Sequence, residues 1–281
     1  METNDIYIIT AQTNMHVGSG DVNFGVIDNL IQRDTIFDLP NINSSSLKGA
    51  LRSYFRQNSD QDFVKKVFGS EARDSGDGLL QGSFRFFEAN LLSIPARSDK
   101  TPFFIATCPM VINDLLQRCD LFGCSLQHKD VLTSLGELNV SKGEPIVFKP
   151  EFEGAIIEEF SFRAIFNSSI NDDRLKEVEN IFGPYPFVLL NDFDFRSLCS
   201  NESLPVVSRN NIENGESKNL WYEQVLPRYS QLYFAVIKNN DDEKVFEEKL
   251  EEKPVQIGAN ATIGYGYTSI KKITGLKSVG V

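Results

Sequence analysis

The strongest periodic pattern in the chain lies in residues 44–56, where apolar side chains recur at intervals of three and four residues. Residues with that spacing fall on one face of an α-helix, so the pattern predicts an amphipathic helix. Asn43 or Ser44 could cap the free N–H groups at its start. The predicted buried face consists of Leu47, Ala50, Leu51, Tyr54 and Phe55.

The polar side of this helix has two possible interpretations. Lys48, Arg52 and Arg56 lie four residues apart on a neighbouring stripe, below three serines at 44–46. A helix N-terminus carries partial positive charge and unpaired donors, so serines and a lysine there would suit the phosphates of a nucleic acid. The same residues would also make an ordinary helix with a solvated basic edge, and the pattern leaves both interpretations open.

Similar patterns predict elements along the rest of the chain. Strands are indicated by alternating or continuous apolar runs, and helices by three- to four-residue periodicity. The predicted strands are 6–13, 83–90, 152–164 (a strand or strand pair) and 232–237, and the predicted helices are 62–68, 111–119, 172–182 and 241–253. Residues 70–78 are polar and contain two glycines, so we predict a loop there.

A hairpin is predicted in the region 201–227. Asn214-Gly215 separates two β-prone runs, 204–211 and 220–223, and this dipeptide is typical of a tight hairpin turn. Trp221 and Tyr222 could stack on nucleic-acid bases, although a single tryptophan is more often a core residue.

Two residues of the N-terminal region could carry chemistry. Asp28 is the lone acid of the apolar segment 25–31, where burial without a partner would be costly. It could be a surface residue, a cap or a site residue, and the nearby Arg33 makes a structural ion pair possible. His16 precedes a glycine-rich turn and could be a general acid or base, an RNA contact, or a turn residue that bonds its own backbone.

A glycine-rich segment, 257–267, lies near the C-terminus. Gly258, Gly264 and Gly266 would let the backbone approach another group closely. The segment is not a P-loop, because no Gly-Lys-Ser/Thr follows it.

Composition narrows the classes of function. The 281 residues are 41% hydrophobic, which supports a sizeable core, and the 22 phenylalanines could pack that core or stack on bases. The net charge of −11 argues against a protein wrapped in nucleic acid on all sides, but it leaves room for one local basic groove.

Four cysteines without a CxxC pair, and only two histidines, argue against a zinc site. With no apolar stretch long enough for a membrane span and no signal-peptide pattern at the N-terminus, we expect a cytoplasmic protein with reduced thiols.

The order of several motifs resembles one known family. They are HVGSGD at 16–21, GVIDNLIQR at 25–33, LP at 39–40, SSSLKGALR at 44–52, LLSIPARS at 91–98 and FFIATCP at 103–109. Together they resemble the RAMP superfamily and, more narrowly, the repeated backbone subunit of type III-B CRISPR (Cmr) effector complexes. The resemblance implies a single α+β RAMP domain over 1–281, with a ferredoxin-like (RRM-like) core, large insertions and a protruding thumb β-hairpin.

The same resemblance implies a function and a set of partners. The chain would bind CRISPR guide RNA, multimerise along it with other copies of itself and other Cmr subunits, and cut complementary target RNA endonucleolytically in antiviral defence. Asp28 matches the family's catalytic acid and would bind Mg²⁺ or another divalent cation weakly, or position the 2′-hydroxyl, while His16 and Glu223 would assist. The residues expected to contact RNA are Ser44, Ser45, Ser46, Lys48, Arg52, Arg97, Arg209, Gly258, Gly264 and Gly266.

Two alternatives remain open on the sequence. One is an endoribonuclease that processes CRISPR precursor RNA without a metal, using His16. The other is a purely structural RNA-binding RAMP subunit, or a related RAMP of another type III complex. Either would bind RNA without cutting that depends on Asp28.

Overall fold

A computed structural model describes residues 3–20, 26–70, 80–158, 163–238 and 242–275. These residues form seven α-helices and thirteen strands, a mixed α+β fold. The strands are β1 Thr3–Ala11, β2 Asn41–Ile42, β3 Arg85–Phe86, β4 Ala89–Ala96, β5 Phe104–Thr107, β6 Ile146–Val147, β7 Ile165–Phe166, β8 Phe187–Leu189, β9 Val206–Glu213, β10 Glu216–Gln224, β11 Gln231–Lys238, β12 Val255–Gln256 and β13 Tyr267–Lys272. The helices are α1 Ser44–Asn58, α2 Gln61–Phe68, α3 Pro109–Leu121, α4 Lys129–Gly136, α5 Asp172–Phe182, α6 Asp192–Leu198 and α7 Glu243–Glu252.

Eleven of the strands form one large mixed sheet, in the order β12-β13-β1-β11-β4-β5-β8-β6-β7, with β2 beside β4 and β3 beside β11. β1 lies between β11 and β13 and is antiparallel to both, with Ile6 opposite Ala235 and Ile9 opposite Ile270. The middle of β1 is buried from Asp5 to Ile9, as expected for a strand covered on both faces. β9 and β10 pair with each other as a separate two-stranded sheet, and Glu223 of β10 makes one isolated bridge to Asn29.

Aromatic side chains fill the space between this sheet and the helices α1, α2 and α7. Phe55 of α1 stacks on Phe246 of α7 with ring centroids 5.0 Å apart, and Phe68 of α2 stacks on Phe86 of β3 at 5.1 Å. Such packed rings contribute both buried area and favourable ring–ring geometry. Much of the phenylalanine content therefore serves the core rather than base stacking.

A buried ion-pair network joins the centre of the sheet to α7. Lys238 at the end of β11 is fully buried, and its ammonium contacts Asp5 at 2.5 Å, Glu243 at 2.8 Å and also Glu247. Lys272 of β13 completes the network, 3.0 Å from Asp5 and 2.8 Å from Glu247. The three carboxylates are close enough together to hold a metal ion, but the Lys238 ammonium lies among them.

Most of the predicted helices and strands are confirmed. The helix predicted at 44–56 is α1, with Leu47, Leu51, Tyr54 and Phe55 buried, and the predicted helices 62–68, 111–119, 172–182 and 241–253 are α2, α3, α5 and α7. Asn43 occupies the N-cap position of α1, but its side chain makes no capping bond. The loop predicted at 70–78 lies almost wholly outside the described residues, as do positions 21–25 of the motifs.

Two strand predictions need correction. The run 83–90 is interrupted: β3 and β4 are separated by Phe87 and Glu88 and pair differently with β11. The strand or strand pair predicted at 152–164 is wrong for the described part, which has only isolated bridges, between Ile156 and Arg163 and between Ile157 and Ser98. Gly154 and Glu158 both have positive φ, which breaks the extended backbone that a strand requires.

Candidate active site

A β-hairpin forms one wall of the site. Its turn, Asn214-Gly215, has φ angles of 53° and 84°, the two left-handed residues of a type I′ turn, so the hairpin prediction is confirmed. Ile212 and Leu220, near the tip, are 63% and 53% exposed. The hairpin thus carries apolar side chains into solvent.

Asp28 lies at the base of this hairpin. The backbone at Asn29 runs beside β10: Asn29 N–H donates to Tyr222 O at 3.1 Å, and Gln224 N–H donates to Asn29 O at 2.9 Å. Asp28 Oδ2 accepts from the Tyr222 N–H at 2.8 Å, while the side chain stays exposed. Arg33 is committed elsewhere, to Asn201 Oδ1 and two carbonyl oxygens. The acid is therefore a surface carboxylate held by a strand backbone.

His16 is buried behind the same strand, with only 5% of its surface exposed. Its Nδ1 lies 2.7 Å from Gln224 O, and because a carbonyl can only accept, we assign a proton to Nδ1. Nε2 then faces Gly18, where a Cβ would lie 3.2 Å from it. Gln224, which sequence reasoning missed, also accepts the Ile31 N–H on Oε1 and so ties three segments together.

Three donors surround the carboxylate of Glu223. Arg209 Nε and Asn260 Nδ2 each donate to Oε2 at 2.9 Å, and Trp221 Nε1 donates to Oε1 at 3.0 Å. Burial raises the pKa of Glu223, but the bonds from Trp221 and Arg209, with the nearby charges of Arg209 and His16, outweigh it and hold the pKa below its ordinary value. Glu223 is thus an ionised carboxylate held by three donors, and a poor proton acceptor.

The glycine-rich segment packs against the His16 turn. A Cβ at Gly258 would lie 2.4 Å from His16 O, and one at Gly266 would lie 1.9 Å from Ile257 O, both at positive φ. Ala259 N–H donates to His16 O at 2.9 Å. Gly264 also has positive φ, but its missing Cβ would meet nothing within 4 Å. Close backbone packing therefore accounts for two of the three glycines.

The predicted phosphate contacts are distributed over other parts of the surface. Ser44, Ser45 and Ser46 are exposed at the start of α1, where the N-cap residue Asn43 makes no side-chain capping bond. Lys48 is half-buried, and desolvation, with a smaller effect of Arg52, lowers its pKa. Arg52 Nη2 instead donates to the carbonyls of Phe68 and Gly69 at 2.7 and 2.6 Å, which completes the end of α2.

Arg97 has a partner of its own. It is exposed and pairs with Glu158 at 2.8 Å, at the edge of a cavity of about 800 Å³ that also contains Phe103 and Tyr229. The structure therefore brings together His16, Asp28, Arg209, Glu223 and the glycine-rich segment, but not Arg52 or Arg97.

The donor set around Asp28 fits one kind of metal site. Asp28 belongs to no group of three metal-ligating side chains within the described ranges. Its Oδ1 makes no bond there, and one exposed carboxylate can hold a hydrated Mg²⁺ that takes its other ligands from water and substrate phosphate. The site thus fits a weakly bound hard cation and not a dedicated protein cage.

Across the described residues, no helix combines the length and apolar character needed to cross a membrane.

The sequence and fold match one superfamily. A sequence model of the RAMP superfamily matches residues 8–269. The CRISPR system Cmr endoribonuclease Cmr4 of Pyrococcus furiosus is 30% identical over 288 aligned positions, covering 93% of this chain and 94% of the relative. The chain therefore belongs to the RAMP superfamily and, within it, to the Cmr4 family.

Solved structures show the same fold. A type III-B Cmr-beta complex bound to cognate target RNA contains a chain that matches with a TM-score of 0.75 and 21% identity, over 96% of this chain and 97% of that one. Oligomeric Cmr4 from Pyrococcus furiosus matches with a TM-score of 0.72 and 22% identity, over 99% and 100% of the two chains.

Proposed function

We propose that this chain is the repeated backbone subunit of a type III-B CRISPR effector complex, and that it cuts target RNA held by the guide. Its kinship with Cmr4, which is named an endoribonuclease, supports the class of reaction. The observation that carries the proposal is the exposed Asp28 carboxylate, held by the backbone of β10 at the base of a protruding hairpin. A strand passing the hairpin would present its backbone to that carboxylate.

We propose further that the core is ferredoxin-like and that the hairpin is the thumb. The order β13-β1-β11-β4, with helices α1 and α7 in the connections, supports a β-α-β-β-α-β core. The separate, exposed β9–β10 pair supports a thumb that projects from it. On this proposal the 281 residues form one RAMP domain, and the remaining elements are insertions.

Guide RNA would lie along the start of α1. The uncapped helix end and the exposed serines at 44–46 offer N–H and hydroxyl donors to phosphate, and Lys48 adds one positive charge. Contacts confined to one face suit a chain with a net charge of −11, because the rest of the surface can stay acidic. Base pairing with the guide, not this subunit, would read the target sequence. Other copies of this chain and other Cmr subunits would continue the assembly.

In the proposed reaction, Asp28 acts at the scissile phosphate of the target. Its carboxylate would orient the attacking 2′-hydroxyl or, through Oδ1, hold a divalent cation. A bound Mg²⁺ would supply charge stabilisation for the phosphate oxygens. His16 and Glu223 would support the site without contacting the target, because His16 is buried and Glu223 already accepts from three protein donors.

The burial of His16 weighs against the metal-independent alternative. A general acid or base must come within hydrogen-bond reach of the substrate, and this imidazole is 5% exposed with Nδ1 bonded to Gln224 O.

The four cysteines are free thiols, which supports a reducing, cytoplasmic location.

The test is cleavage of a complementary target RNA by the guide-loaded complex, with Mg²⁺ and with EDTA. The proposal predicts cuts at regular intervals that EDTA abolishes while target binding persists. CRISPR repeat RNA, offered to the isolated chain, serves as the comparison. Cutting of the repeat in EDTA, with no cutting of the target, would replace this proposal with the precursor-processing alternative.

A further inference from the structure

Five side chains form a clamp between the hairpin and the glycine-rich segment; we use "the clamp" for Arg209, Trp221, Glu223, Asn260 and Tyr265. The strand register sets Arg209 opposite Trp221, with Glu223 two residues further on the same face. Asn260 and Tyr265 reach the pair from the glycine-rich segment.

We propose that Arg209 is a positioning residue for target cutting, and that it acts through Glu223 to fix the base of the hairpin and thereby the Asp28 carboxylate. This inference rests on the proposed function. Arg209 itself would contact neither the target nor the scissile phosphate. This role differs from the RNA contact that the family resemblance implies for Arg209.

A short series of bonds connects Arg209 to Asp28. Arg209 Nε holds the carboxylate of Glu223 at 2.9 Å. The backbone groups on either side of Glu223 hold the other strand: Tyr222 N–H donates to Asp28 Oδ2 at 2.8 Å, and Gln224 N–H donates to Asn29 O at 2.9 Å. A shift of Glu223 would therefore move the two backbone contacts that set where Asp28 points.

The geometry of Arg209 suits this role better than RNA binding. Its side chain is 18% exposed, and the guanidinium lies 4.8 Å from the centroid of the Tyr265 ring. Nη2 is shielded from solvent and has no hydrogen-bond partner among the described residues. The planar guanidinium can stack on a ring while its N–H groups donate in its own plane to a carboxylate. The ammonium of a lysine cannot make this combination of contacts.

The clamp also includes a built-in reporter. Trp221 is the only tryptophan of the chain, and its Nε1 donates to Glu223 Oε1 at 3.0 Å. Its fluorescence in the purified full chain should therefore respond to the state of the clamp without any RNA present. This readout does not depend on the proposed function.

The experiment compares Arg209→Gln and Arg209→Lys with Arg174→Gln. Arg174 is a matched control, because it also loses one arginine charge but lies on α5, where it bonds Asp130 O and Ser134 Oγ. Two quantities are measured on the guide-loaded complex: target Kd, and the single-turnover cleavage rate at saturating target. We expect Arg209→Gln to lower the rate by about 10²-fold with target Kd within about twofold of wild type. Arg209→Lys should recover little, and Arg174→Gln should match wild type.

Two outcomes of that experiment overturn the proposal. Wild-type cleavage by Arg209→Gln would show that the clamp does not set the site. A loss of target affinity as large as the loss of rate would make Arg209 an RNA contact.

A second pair of variants covers the case in which Arg209→Gln does not assemble. Tyr265→Phe keeps the ring under the guanidinium, and Tyr265→Leu removes it. We expect wild-type cleavage and Trp221 emission from the first, and slower cleavage with red-shifted emission from the second. Equal behaviour of the two would refute the clamp. If instead wild type cuts no target while Trp221 emission still separates the two variants, the proposed function fails and the clamp stands as a structural feature.

Discussion

Replacing Lys238 by methionine should destabilise the fold strongly, because it leaves the buried carboxylate of Asp5 and the partly buried carboxylates of Glu243 and Glu247 without their main partner. The ammonium touches Asp5, Glu243 and Glu247, and Lys272 is the other cation of the network. Loss of Lys238 changes the five-group network from a net charge of −1 to −2 around an Asp5 that is 5% exposed. Removing one partner of a buried ion pair typically costs about 3–5 kcal/mol, and we expect a loss of that size at neutral pH.

The pH dependence of this loss follows from Asp5. Burial raises the pKa of Asp5, but bonds and charges from Lys238, Thr274 and Lys272 outweigh it, so its pKa is lowered in the folded protein. A carboxyl with a lowered folded pKa stabilises the fold fully above its unfolded pKa of about 3.9, and that contribution is lost as the pH falls through the folded value. In Lys238→Met the burial remains and the largest partner is gone, so we expect the pKa of Asp5 to rise. The destabilisation should then be smaller at about pH 4.5 than at about pH 7, because protonation relieves the buried charge.

Urea unfolding followed by circular dichroism measures both effects. Lys129→Met is the matched control: its partner Asp120 is 64% exposed, and such surface pairs contribute about 0–1 kcal/mol. The double variant Asp5→Asn, Lys238→Met should be more stable than Lys238→Met alone, because it removes the uncompensated charge. A loss below about 1 kcal/mol for Lys238→Met, or one that does not change with pH, would refute the reasoning.

Two further predictions test the glycines and the basic residues. Gly264→Ala should cost about 1–2 kcal/mol of stability, because position 264 has a left-handed backbone. Gly266→Ala should cost clearly more, because of the two only the new Cβ at 266 meets a carbonyl oxygen, at 1.9 Å. Equal unfolding midpoints of the two variants would contradict this. Lys48→Gln should weaken guide binding and reduce the steepness of log K against log salt by about one. Arg52→Gln should leave that slope unchanged, and should cost about 1.5–3 kcal/mol of stability through its lost carbonyl bonds. Guide binding by filter retention and urea unfolding separate the two, and a salt-slope change for Arg52→Gln would reverse the assignment.

Local pattern was sufficient for the parts of the fold whose determinants are close in sequence. The spacing of Leu47, Leu51, Tyr54 and Phe55 predicted α1, and Asn214-Gly215 predicted the hairpin turn, because each signal lies within one turn or one tight loop. The prediction at 152–164 failed because positive φ at Gly154 and Glu158 is not encoded in hydrophobic alternation. Resemblance to a family, and not periodicity, supplied the fold class.

The site could be predicted only in part, because its contacts join distant segments. Asp28, His16 and Glu223 were identified, and the structure brings them together. Asn260 and Gln224 were missed, because their partners are distant in sequence. Asn260 bonds Glu223, 37 residues away, and Gln224 bonds His16, 208 residues away. The helical stripe of Arg52 predicts a phosphate contact, and nothing in that spacing shows that its guanidinium bonds the end of the next helix.

The most direct test of the account is target cleavage by the guide-loaded complex carrying Asp28→Asn. The asparagine amide oxygen can still accept the Tyr222 N–H that Asp28 Oδ2 accepts at 2.8 Å, so the local fold should be kept while the negative charge is lost. The account predicts that regularly spaced cutting falls by at least about 10²-fold while target affinity is unchanged. Cutting at the wild-type rate would contradict it and would move the chemistry to another residue or another subunit.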